Sequence, residues 1–96
     1  MKTDRWIVYL LRCSDDSLYC GITNDLITRV ETHRTGKGSK YVRSRLPCSL
    51  KAFAYVIGRS EALKLEAFIK KLPRSKKVEY ILGRGGVECE KFICEG

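Results

Sequence analysis

Residues 6–33, WIVYLLRCSDDSLYCGITNDLITRVETH, decide how this chain folds. Trp6 to Cys13 is a near-continuous apolar and aromatic run, the pattern of a strand covered on both faces. Ser14-Asp15-Asp16-Ser17 is a turn cluster, because short polar side chains satisfy the backbone locally. Leu18 to Thr23 reads as a second strand. Asn24 or Asp25 then caps a helix to His33 or Arg34 that carries Leu26, Ile27 and Val30 inward. In the first strand Ile7, Tyr9 and Leu11 share one face, and Trp6, Val8 and Leu10 the other. Both sets are apolar, which predicts a central strand. In the second strand Tyr19, Gly21 and Thr23 share a face. Opposed residues in a hairpin have a constant index sum, so Tyr9 and Tyr19 lie on the same face only if the loop has an odd number of residues. Gly21, in a strand that otherwise packs well, suggests a bulge or a close approach of the backbone to a ligand.

Downstream, Thr35 to Tyr41 (TGKGSKY) is a glycine-rich basic loop, and Val42 to Pro47 adds Arg43 and Arg45. Its spacing and context are not those of a Walker-type phosphate loop. Leu50 to Ile57 predicts a third strand, ended by Gly58 and paired with the central one. Ser60 caps a helix from Glu61 to about Leu72, with Leu65, Phe68, Ile69 and Leu72 at the i, i+3, i+4, i+7 spacing of a core stripe. Glu66 flanks that stripe, either facing a cleft or pairing with Lys70 four residues on. Pro73 breaks the helix, and a last short helix starts at Arg74. The expectation is an α+β domain: a three-stranded antiparallel sheet flanked by helices, in the order strand, strand, helix, strand, helix, helix. The core spans about residues 5–82 of one domain covering 1–96, with a weakly patterned tail from 83.

The 96 residues carry 19 basic and 11 acidic side chains, a formal charge of +8. That excess favours a polyanionic partner, and nucleic acid before membrane, because no amphipathic basic helix dominates. No stretch is long and apolar enough to span a membrane, and the start of the chain has no signal-peptide pattern, which predicts a cytoplasmic protein. The five cysteines form no C-x-x-C, and with a single histidine they offer no compact zinc set. They read as reduced thiols of an intracellular protein, Cys13 and Cys20 as small buried apolar groups.

On these residues the chain resembles the GIY-YIG nuclease superfamily. Ile7-Val8-Tyr9 stands at the first signature triplet and Tyr19-Cys20-Gly21 at the second. Arg29 follows at the spacing of the family's helix arginine, and Glu66 stands where its metal-binding glutamate is expected. The Gly36 to Tyr41 and Arg45 to Pro47 segments are similar to those of the short stand-alone bacterial branch. Ile7 replaces the first glycine, Cys20 replaces the middle of the second triplet, and no asparagine follows Pro73 where many relatives have one.

The resemblance implies metal-dependent hydrolysis of a phosphodiester, DNA more than RNA, with structure selectivity or weak specificity. Glu66 would supply one hard oxygen ligand, suited to Mg²⁺ or Mn²⁺ holding several waters. Arg29 would supply a planar, permanent charge for the non-bridging oxygens. Tyr9 is the leading candidate for the base or water-positioner, Tyr19 shares that role, and His33 is the second base candidate. A free phenol titrates near pH 10, so its ionisation costs about 4 kcal/mol at pH 7, a cost that Arg29, a metal and the basic loop would reduce. Thr23, Lys37, Lys40, Tyr41, Arg43 and Arg45 are the expected nucleic-acid contacts, by phosphate pairing and, for Tyr41, stacking. The rival reading is a nucleic-acid-binding module of the same fold with little turnover, and beyond it a basic protein-interaction domain. What separates them is geometry. Catalysis requires the two hydroxyls, the guanidinium and the carboxylate to line one solvent-reachable surface on one face of the sheet, with His33 at its edge.

Overall fold

The hairpin loop has an odd number of residues. In the computed structural model, which describes residues 5–89 and 93–94, β1 (Arg5–Arg12) and β2 (Leu18–Thr23) are antiparallel, with Tyr9 opposite Gly21 and Leu11 opposite Tyr19. The connecting loop is therefore 13–17, and Tyr9 and Tyr19 point to the same side. Cys13 N–H donates to the Ser17 carbonyl at 2.9 Å to close the turn. Asp16 takes its one left-handed position, φ 67°, which a short polar side chain tolerates.

Strand β3 (Cys48–Ile57) pairs antiparallel with the other edge of β1, so β1 is central as its two apolar faces predict. The register shifts between Leu10 and Leu11: Leu10 lies opposite Ala52 and Leu11 opposite Leu50. Lys51 is the extra residue. This bulge turns Leu50 and Cys48 onto the same face as Tyr9. The sheet also has two strands that the sequence pattern does not announce. β4 (Val87–Glu88) and β5 (Ile93–Cys94) each add two residues to the outer side of β3, so the sheet order is β2-β1-β3-β4 with β5 also on β3. The three-stranded expectation is corrected by these short additions. Two-residue strands carry no readable alternation.

Helices cover both faces. On one face α1 (Leu26–Arg34) and the single-turn α2 (Lys40–Arg43) bury Val30 and Val42 against Ile7, Leu11, Cys13 and Leu50. On the other, α3 (Arg59–Lys70) and α4 (Arg74–Gly83) bury Ala62, Leu65, Ile69 and Ile81 against Val8, Leu10, Cys20 and Ala54. Each fully buried large aliphatic contributes about 1.5–3 kcal/mol. Two stripes are rotated from expectation. In α1 it is Val30 and His33 that turn inward, while Ile27 is 75% exposed. In α3 the small Ala62 sits at the sheet, which lets the helix approach closely and leaves Phe68 outside, 48% exposed and paired with Tyr80 at 4.9 Å between ring centroids. The α3 N-cap is Gly58 at φ 89°, not Ser60. Among the described residues no helix is long and apolar enough to cross a membrane.

Candidate active site

On the α1 face of the sheet, a set of polar and aromatic side chains gathers over the middle of the hairpin. Tyr9 is fully buried, and its hydroxyl lies 2.9 Å from His33 Nε2. Arg29 Nε donates to the same oxygen at 3.4 Å. Arg29 can only donate, so the tyrosine oxygen accepts from it and shares its other hydrogen bond with Nε2, while His33 Nδ1 is buried with no hydrogen-bond partner among the described residues. Tyr19 closes the set, with its ring 6.4 Å from Tyr9 and 5.4 Å edge-on from His33. Arg29 is within reach of both hydroxyls, and the Tyr9 contact in particular raises its pKa.

Local sequence explains each placement. Asp25 caps α1 by accepting the Thr28 N–H, which fixes the helix start. Arg29 and His33, one turn apart, then fall on the side facing the sheet. Gly21 makes room neither for a bulge nor for a ligand but for Tyr9: any Cβ at Gly21 would collide with the tyrosine hydroxyl. Gly38 does the same for histidine, since a Cβ there would strike His33 Nδ1. The glycine-rich loop thus lies directly on the imidazole ring.

Burial sets the protonation states. The Tyr9 phenol is pushed up to about 12 by desolvation, which Arg29 offsets only in part. Ionising it at pH 7 therefore costs about 7 kcal/mol, against about 4 for a free phenol. Arg29 favours the phenolate, as expected, but desolvation outweighs it. His33 is held down at about 4, first by burial and second by the Arg29 charge, so it is neutral at pH 7. Its expected position at the edge of the site is corrected too. His33 is fully buried, because the loop through Gly38 covers it.

Glu66 stands apart from this set. Its helix α3 packs on the opposite face, where the carboxylate lies 3.6 Å from Lys70 Nζ and close enough to Cys20 to be felt there. The Cys20 thiol is pushed up to about 12 by burial, with the Glu66 charge as the next cause. The expectation of four groups on one face therefore holds for Tyr9, Tyr19 and Arg29 and is corrected for Glu66. The physical reason is that Leu65 and Ile69 must face the Val8, Leu10 and Cys20 side, and Glu66 follows Leu65 around the helix toward β2. β2 is the edge strand. Tyr19 and Cys20 are neighbours on it, so Glu66 and the tyrosine set flank one free edge from opposite sides.

The side chain of Glu66 is 19% exposed and its one ion pair is long. Among the described residues no group of three or more Asp, Glu, His or Cys side chains is placed to hold a metal. A lone carboxylate fits a hard divalent ion that keeps most of its water, and does not fit a zinc cage.

The other expected contacts divide. Lys37, Lys40 and Arg43 are exposed on or beside α2. Tyr41, also exposed, stacks on Tyr19 at 5.9 Å, with the Arg45 guanidinium 3.8 Å over its ring. Arg45 is engaged within the protein, pairing with Asp15 at 3.0 Å. Thr23 is not a surface contact: it is buried, and its hydroxyl donates to the Asp25 carbonyl and accepts the Asp25 N–H.

The sequence matches the GIY-YIG catalytic domain over residues 5–79. A UPF0213 protein of Bacillus cereus is 40% identical over 93 residues, covering 96% of this chain and 97% of the relative. A second, from Oceanobacillus iheyensis, is 49% identical over 77% of this chain and 86% of its own length. Among solved structures, the solution structure of a UPF0213 protein from Bacillus halodurans aligns with a TM-score of 0.51 at 38% identity, covering 84% of this chain and 86% of that one. That of a protein from E. faecalis aligns with 0.59 at 34% identity, covering 88% of each.

Proposed function

The chain belongs to the GIY-YIG family, a family of nucleases, and from that membership we propose that it is a divalent-metal-dependent endonuclease. It hydrolyses phosphodiester bonds in nucleic acid, DNA before RNA, with structure selectivity or weak sequence specificity. The observation that supports this most is the hydrogen-bonded set of Tyr9, His33 and Arg29 with Tyr19 against it. Packing alone gives no reason to bury an arginine contact, a phenol and an imidazole together.

Arg29 neutralises charge on the non-bridging oxygens as it develops. Tyr19, half-buried where Tyr9 is sealed, is the hydroxyl that orients the attacking water. Tyr9 and His33 act behind it: Tyr9 accepts from Arg29 and is itself held by its hydrogen bond with neutral His33, which fixes where the guanidinium points. Glu66 is the residue that would hold Mg²⁺ or Mn²⁺; such an ion, when bound, supplies charge neutralisation and an activated water. The phosphodiester then sits at the free edge of β2, between Arg29 and Glu66.

The separation of Glu66 from the tyrosine face favours the second reading, a nucleic-acid-binding module with little turnover. One experiment divides the two. Branched, single-stranded and duplex DNA are incubated with wild type and Arg29→Ala, with Mg²⁺, Mn²⁺ or chelator. Metal-dependent cleavage that the variant loses supports the nuclease. Binding without cleavage under every condition leaves the module.

A further inference from the structure

Residues 70–77, KKLPRSKK, hold five cations and no carboxylate. They form the elbow between α3 and α4, which borders the site described above at Lys70, the partner of Glu66, and otherwise lies beyond it. Lys70, Lys71, Arg74 and Lys76 are all exposed. Lys77 is used structurally, donating to the Ile69 and Lys70 carbonyls at the end of α3. The carboxylate contacts of the others are the Lys70–Glu66 pair at 3.6 Å, the Lys76–Glu79 pair at 3.5 Å and the Arg74–Asp16 pair at 3.2 Å. Such exposed pairs are worth little and are readily exchanged for phosphate. Lys71 has no ion pair among the described residues.

The position of the elbow gives the charge its meaning. Arg74 reaches the hairpin turn, donating to the Asp16 carbonyl at 2.6 Å. Arg45 reaches the same turn from the other face of the sheet, through Asp15. The two basic segments, 37–45 and 70–77, are therefore tied to one loop from opposite sides. Along β2 the pattern repeats: Tyr19 meets Tyr41 on one face, and Cys20 on the other is close enough to Glu66, Lys70 and Lys77 to feel their charges. A polyanion that crosses the free edge of β2 meets cations before and after it.

We propose that Lys70, Lys71 and Lys76 form a second phosphate-binding surface, which seats the nucleic-acid backbone on the α3–α4 side of the β2 edge while α2 seats it on the other. The surface rests on the nucleic-acid reading above and adds the path of the strand: the substrate straddles the edge and does not lie on the tyrosine face alone. The longest extent of the molecule, 34 Å, corresponds to about ten base pairs of duplex at 3.4 Å per step along each strand.

The test is a salt titration of binding to a labelled duplex of about 20 base pairs, in chelator, followed by fluorescence anisotropy. Wild type is compared with Lys71→Gln/Lys76→Gln. Both side chains are exposed and neither belongs to the catalytic set, and a matched circular dichroism spectrum checks the fold. Removing two phosphate contacts lowers the magnitude of the slope of log K against log salt by about 1.8. Unchanged slope and affinity in the variant overturn the proposal, whether or not wild type cleaves. A reduced slope supports it even if the cleavage assay fails, so the two readings fall separately. A wild type with no affinity for nucleic acid overturns both.

Discussion

Gly21 lies directly across the ladder from Tyr9, and the hydroxyl of Tyr9 fills the space where a Gly21 side chain would be. The second signature triplet thus shapes the first. Gly21→Ala is expected to destabilise the protein by about 1–3 kcal/mol, the usual cost of overpacking, read from the urea midpoint. Combined with Tyr9→Phe, which removes the nearer colliding atom and leaves Cζ against the new Cβ, the loss should be relieved in part and so be less than additive. Strict additivity would mean that the two residues do not share this space.

On the nuclease reading, Arg29→Ala and Glu66→Gln should each lower cleavage on the order of 10²-fold or more, the first by removing a cation that meets transition-state charge and the second by weakening the hold on the metal. Their metal response separates them. Excess Mn²⁺ partly restores Glu66→Gln, a weakened ligand, and does nothing for Arg29→Ala. Full activity in either variant excludes that residue from the site.

Stability should fall on mild acidification. His33 titrates at about 4 in the folded protein against an ordinary 6.5. The unfolded chain therefore takes up the proton first, so this contribution is complete above pH 6.5 and is lost as pH falls through 4. The full shift corresponds to about 3 kcal/mol. Urea unfolding of wild type and His33→Gln at pH 7, 5.5 and 4.5 checks it: wild type should lose more than the variant over this window. Parallel losses would show that other groups dominate.

The Tyr19–Tyr41–Arg45 stack predicts a contrast between two substitutions. Tyr41→Phe keeps both ring contacts and should leave stability nearly unchanged. Tyr41→Ala loses an aromatic pair and a cation–π contact, about 1–2 kcal/mol together. Thermal or urea unfolding distinguishes them, and equal losses would point to the hydroxyl instead of the ring.

What the sequence made legible was whatever repeats with a short period. The two apolar faces of β1 and a helix cap at Asn24 or Asp25 follow from alternation and local hydrogen bonding, whereas the shared face of Tyr9 and Tyr19 waited on the loop parity, which the register sets. What it hid was set by partners distant in the chain. Nothing in TGKGSKY says that Gly38 will close over His33, and that contact turns a surface histidine into a buried one. The stripe on α3 misplaces Phe68 because Ala62, not the bulkier residue, is chosen where the helix meets the sheet. Glu66 is legible as a flanking position, but a helix pattern carries no information about which side of a sheet the helix will cover. The four-residue α2 is shorter than any period that could reveal it.

The two rims of the sheet are treated differently. The chain folds its C-terminal strands onto β3 and leaves the outer side of β2 without a strand among the described residues. A bare row of backbone donors and acceptors invites a second copy to zip onto it. Lys70 and Lys77 lie close enough to Cys20 on this strand to be felt there, so a second copy arriving edge to edge would bring like charge against like, a guard against self-association built from the charge that favours a polyanion. Raising the ionic strength weakens both effects together. On the nucleic-acid reading, the salt that would release the polyanion would also disarm the guard, so self-association should be easiest where substrate is held least.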